Sequence, residues 1–184
     1  MKISQQKSPP CQRTNSLRWN NIKNQRTPFL DPKPAGNGKM QTQDLETAKK
    51  RLHEGKLTLC ITKNGKTIFE TASHGISGFL QAIQRLEDKL EGAHVADRVV
   101  GKAIALLCAY AKIRGVYAKT ISKKAKQLLE ENTIHVECDN LVENVLDPNK
   151  ATTCPFEKLA AKISDPTEAY SKLKTLQDSL KQCR

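Results

Sequence analysis

The sequence predicts an α/β sandwich, with a mixed sheet and helices on both of its faces. Three observations carry that expectation. Residues 57–72, LTLCITKNGKTIFETA, set two β-rich runs around Asn64–Gly65, the strongest two-residue hairpin signal. Residues 93–122, AHVADRVVGKAIALLCAYAKIRGVYAKTIS, hold a stretch apolar on nearly every side, which belongs inside a fold and not on its surface. Beyond it, helical and extended patterns alternate, and strands joined through a helix pair in parallel with a right-handed crossover.

The elements follow in order. TQDLETAKKRLHE, 42–54, reads as a helix with Leu45, Ala48 and Leu52 on one face and Gly55 as its stop. The hairpin comes next. GISGFLQAIQRLEDKL, 75–90, is an amphipathic helix that turns Ile76, Phe79, Leu80, Ile83, Leu86 and Leu90 inward. Residues 95–113 read as one long buried helix, with Gly101 in its middle and charge at Asp97, Arg98 and Lys102 in its first turns and at Lys112 by its end. A mid-helix glycine costs about 1 kcal/mol against alanine, so it marks close packing or a close approach by something else. GVYAKTIS is a strand, and SKKAKQLLEENT is a helix capped by Ser122. HVECDNLV is a second short strand, and VENVLD is a short helix that stops before Pro148. TCPFEKLAAKI and DPTEAYSKLKTLQDSLKQ are two further helices. Asp165 caps the last, with Pro166 at its first position. Short apolar strands of this kind suit a sheet covered on both faces.

The net charge of +12 is uneven, +7 over residues 1–40 and +5 over the rest. The first forty residues are rich in Gln, Asn, Ser and Lys and hold five of the eight prolines. They cannot bury enough apolar surface to offset chain ordering, so residues 1–40 read as a disordered basic extension and 41–184 as the folded domain. The extension is acid-poor with Arg and Ser, as transit peptides are, but Pro9–Pro10 breaks any early helix. Met40 opens the first well-patterned segment and is an alternative start. No run of eighteen apolar residues is free of charge, so no membrane span is expected. Six cysteines are widely spread, with no C-x-x-C pair, so free thiols in the cytoplasm are expected and no structural zinc finger. Aromatics are 4% of the chain, too few for a single-strand stacking platform. Nucleic acid is therefore expected only through the basic tail.

Three segments resemble an uncharacterised prokaryotic family, a domain of unknown function: KNGKTIFETASHGISGFLQAI, AHVADRVVGKAIALLCAYAKIRGVYAKTIS and TTCPFEKLAAKISDPTEAY. The resemblance covers roughly 43–178, and V-A-D-R-V-V-G-K-A and C-P-F-E-K-L are its most specific pieces. It implies a cytidine deaminase-like fold, here a three-layer α/β/α sandwich, with no established activity. Deaminase chemistry needs a His or Cys with a nearby Glu opening one helix and P-C-x-x-C opening the next. Read against the helix expected at 95–113, A-H-V-A-D-R offers His94 and Asp97 at His-x-x-Asp spacing. The next helix opens T-I-S-K-K-A-K, with no cysteine. A catalytic zinc needs three protein ligands, so zinc-dependent deamination is not expected, and no cofactor is.

The polar residues of the two distinctive motifs are the site candidates: Asp97, Lys102, Cys154 and Glu157. On one helix, Lys102 would stand about 140° around from Asp97. A thiol before a helix, as at Cys154, can have a lowered pKa, but Glu157 three residues on would raise it. His53, His74 and His135 read as solvated, and Lys123, Lys124 and Lys126 as a solvated basic face. The leading expectation is a non-catalytic domain that binds a small, nucleotide-like ligand or a partner on a deaminase-like scaffold. The second is a metal-independent enzyme using Cys154, Asp97 and Lys102. The third is nucleic-acid binding through the tail.

Overall fold

The computed structural model describes residues 38–146 and 152–182, with side chains from residue 43. The elements are α1 (Gly38–Glu54), β1 (Leu59–Lys63), β2 (Lys66–Thr71), α2 (Ser77–Leu86), β3 (His94–Val100), α3 (Lys102–Tyr110), β4 (Gly115–Ser122), α4 (Lys123–Glu131), β5 (His135–Val142), α5 (Pro155–Ala160) and α6 (Pro166–Gln182). The disorder expected for residues 1–40 lies outside the described residues, apart from Gly38–Met40, which open α1. No described helix is long and apolar enough to cross a membrane.

The strands form one five-stranded sheet in the order β2-β1-β3-β4-β5. β1 runs antiparallel to both β2 and β3. β3, β4 and β5 are parallel, with Val95 beside Val116 and Val116 beside Val136. The hairpin turns where Asn64 and Gly65 both take positive φ, 53° and 75°, as a type I′ turn requires. Asp44 of α1 holds that turn from outside: its two carboxylate oxygens accept the Asn64 and Gly65 amides at 2.8 and 2.6 Å.

Helices lie on both faces, which makes the three-layer mixed sandwich expected of a deaminase-like fold. On one face, Leu45, Ala48 and Leu52 of α1 pack on Cys60, Ala96 and Tyr117. On the other, α2, α3 and α4 share one core with Val95, Val116, Ala118 and Ile121. α6 joins that core through Ala169 and Leu173. The Asp165 carboxylate accepts the Glu168 amide at 2.6 Å, and Ser122 Oγ accepts the Ala125 amide at 3.2 Å, so both expected caps form.

Three expectations are corrected. The helix at 95–113 is instead a strand, β3, followed by the nine-residue α3. A strand buried on both faces is as continuously apolar as a buried helix. Val95, Val99 and Val100 favour the extended form. Gly101 is not mid-helix but the extended residue before α3, at φ −101° and ψ −179°. The short helix at VENVLD does not form over 143–146; Leu146 instead makes a bridge with Thr153. The helix at 75–90 divides after Leu86 into α2 and a 3-10 turn, Glu87–Leu90. The break falls at Glu87, whose φ is +47°.

Candidate functional site

The distinctive motifs meet at the head of α3, beside the carboxyl ends of β3 and β4. The first backbone amides of a helix have no partner within it. Here Glu157 of α5 supplies one: Oε2 accepts the Lys102 amide and Oε1 the Ala103 amide, both at 2.9 Å. Its charge also sits at the positive end of the helix. A Cβ at Gly101 would collide with that carboxylate, which is why a glycine stands there. Cys154 holds the matching place at α5, whose first residue is Pro155, and its carbonyl accepts the Lys158 amide.

Lys102 turns its ammonium to the Ala161 carbonyl, at 3.3 Å. Among the described residues no carboxylate lies within ion-pair distance of it. It lines a cleft of about 370 Å³ with Lys124, Gln127, Glu131, Asn132 and Ser164. Lys102 lies two residues past the end of β3, and Lys124 two past the end of β4.

Asp97 lies on β3 and not in the first turn of a helix. Burial pushes its carboxyl up to about 7, against the lowering effect of hydrogen bonds from the Val99 and Arg98 amides. The Val99 bond is 3.0 Å. No cation is paired with Asp97 among the described residues. Cys108 of α3 is near enough to feel its charge, and burial first and that charge second hold the Cys108 thiol well above its usual pKa. The structure thus joins Glu157 to the Lys102 backbone. No hydrogen bond or ion pair among the described residues connects Asp97 with Lys102 or Cys154.

The helices that flank β3 on this face are α2 and α3, which open S-H-G-I-S-G and V-G-K-A-I-A. A-H-V-A-D-R, which read as a helix opening, is strand. His74 is the one potential zinc ligand at either opening. Among the described residues no three His, Cys, Asp or Glu side chains converge as a metal site. These residues do not fit the deaminase zinc.

Sequence reasoning missed a polar knot on the α1 face. Tyr117, 1% exposed, donates its hydroxyl to Asp139 at 2.6 Å and lies 3.1 Å from His53 Nε2. Lys49 stands 4.7 Å over the Tyr117 ring and 3.9 Å from Glu137. Burial and then Asp139 raise the phenol pKa. The signal available was period two along β5, which puts Glu137 and Asp139 on one face. With its ring sealed, Tyr117 serves to pin the end of α1 to β4 and β5.

The fold and site define a three-layer mixed α/β domain in which a glutamate, not a pair of cysteines, closes the head of α3. The chain belongs to the family described as TM1506, a domain of unknown function (DUF1893), which matches residues 47–177. A crystal structure of a DUF1893 family protein, TM1506 from Thermotoga maritima, is 32% identical over 72% of this chain and 88% of that one, with a TM-score of 0.67. The apo dCMP deaminase of cyanophage S-TIM5 is 13% identical over 55% of this chain and 98% of that one, at a TM-score of 0.40. Acinetobacter baumannii RibD is 18% identical over 68% of this chain and 39% of that one, at 0.39. Scores at that level say nothing about chemistry. No curated protein matches the chain.

Proposed function

We propose that this domain binds a small anionic, nucleotide-like molecule in the cleft that runs along α4 from the heads of α3 and α4 to Glu131 and Asn132 at the C-terminal end of α4. One observation carries the reading: Lys102 and Lys124, placed by successive crossovers just past the carboxyl ends of two parallel strands, line the same cleft. Open α/β sheets take their ligands at that edge. The volume of about 370 Å³ falls within the range of roughly 300–1,000 Å³ for small-molecule sites. Gln127, Asn132 and Ser164 add neutral polar groups, and Glu131 is the one acid among the described lining residues. Asp97 and Cys154 are not on its walls, so the binding reading does not need them. The free thiols of Cys60, Cys108, Cys138 and Cys154 suit a reducing compartment such as the cytoplasm.

Calorimetric titration with AMP and with inorganic phosphate tests this. Saturable binding is expected, weakened roughly tenfold in Lys102→Met and in Lys124→Met, the loss of one charge-assisted contact. Lys102→Met should cost no more than about 1 kcal/mol of stability, because its ammonium gives up a single bond to a carbonyl. Wild-type protein that binds neither ligand, or variants that bind as well as wild type, would refute the reading.

A further inference from the structure

A second cleft, of about 620 Å³, opens on the far side of α3 from its head. It lies between the 3-10 turn after α2, the last turn of α3 and one flank of α6. Its chemistry is unlike that of the lysine cleft. Tyr110 of α3 and Tyr170 of α6 stack in parallel on its wall, ring centroids 4.6 Å apart and planes within 9°. Both rings are only partly buried, and Ile83 and Leu90 add apolar floor. Each ring spends one face on the other, and the outward side of the stack, part-exposed in a cavity of ligand size, accepts a planar apolar body.

The charges on the wall set the sign of the ligand. Glu87, Asp88 and Glu91 all line the cleft, in a chain of net charge +12. Lys112 also lines it, but is held 3.2 Å from Glu91. Glu87 and Asp88 have no ion-pair partner among the described residues. Lys174 is the remaining cation on the wall. α2 and α3 both end here, at Leu86 and Tyr110, and helix C-termini favour positive charge.

We propose that this cleft is a binding site for a planar aromatic amine, its ring against Tyr110 and Tyr170 and its ammonium at Glu87 and Asp88. An ammonium beside tyrosine faces gains from the ring quadrupoles as well as from the carboxylates. The site is independent of the lysine cleft: each stands if the other fails.

The test titrates the full chain with tryptamine, with neutral indole and with indole-3-propionate, the matched anion. Amide and aromatic-ring NMR shifts report where each binds. Tryptamine should saturate, with shifts concentrated at Glu87–Glu91, Tyr110 and Tyr170 and none at Lys102 or Lys124. The double variant Glu87→Gln/Asp88→Asn should weaken it roughly tenfold, as expected for two exposed ion pairs, while leaving indole unchanged. Both replaced side chains are exposed, so the fold should survive, and the amide spectrum verifies that. Tyr170→Leu should weaken tryptamine and indole alike. Failure of tryptamine to saturate, equal binding of indole-3-propionate, or a double variant that binds tryptamine as well as wild type would each overturn the proposal.

Discussion

Asp97 is the least comfortable residue of the fold. Its carboxyl is buried, accepts backbone amides and has no cation among the described residues. Burial raises its pKa from 3.8 to about 7. Between those two values the folded state holds a proton that the unfolded chain has lost. Its contribution to stability is therefore full below about 3.8 and is lost as pH rises through about 7. Asp97→Asn keeps an acceptor for the Val99 amide and removes the charge. The variant should gain on wild type as pH rises from 4 to 7, by up to a few kcal/mol above pH 7. Urea denaturation at pH 5 and pH 8 measures this, and an equal difference at both values would contradict it. His94 acts in the opposite sense. It is 4% exposed, and its Nδ1 lies 3.8 Å from Asp44 with no hydrogen-bond partner among the described residues. Burial lowers its pKa from 6.5, the pull of Asp44 notwithstanding. Its contribution is present above pH 6.5 and is lost as pH falls toward the folded value. His94→Gln should therefore flatten the acid limb of the stability profile below pH 6.5.

At the scale of elements, the junction of β3 and α3 is both the centre of the molecule and the hardest part to read. Val95, Val99, Val100 and Gly101 read as part of one buried helix with a glycine in its middle. The run from His94 to Tyr110 has no period that separates a doubly buried strand from a buried helix. The hairpin was legible because Asn64–Gly65 is a local signal, and the caps at Ser122 and Asp165 for the same reason. The partner of α3's first amides was not legible, because Glu157 arrives from 55 residues away. Glu157 was a candidate from its motif, yet its role needed the tertiary fold. Glu157→Ala should cost about 1–3 kcal/mol, the loss of two charged hydrogen bonds to a helix terminus. Gly101→Ala should cost a similar amount, by displacing the same carboxylate. Because the two variants remove one interaction, the double variant should cost less than the sum of the singles. Additive losses in chemical denaturation would mean that Glu157 does not act through the head of α3.

For the whole molecule, the class of sandwich and most element positions were readable, including four of the five strands. Of the four candidates, Lys102 lines a cleft, Glu157 closes the head of α3, and Asp97 and Cys154 stand apart from that cleft. Charge is the other molecular property. More than half of the net +12 belongs to residues 1–40, outside most of the described fold. A chain beginning at residue 38, where α1 starts, should unfold within a few degrees of the full chain. Any nucleic-acid affinity should be steeply salt-dependent and vanish with the tail. The central claim is that the carboxyl edge of the parallel strands is an anion site without the deaminase metal. Its most direct test is an AMP titration followed by amide chemical shifts. The claim predicts saturable shifts at Lys102, Ala103, Lys124, Gln127 and Ser164, with His53 and Tyr117 on the α1 face unmoved. Saturable shifts centred anywhere else, or none at that edge, would contradict it.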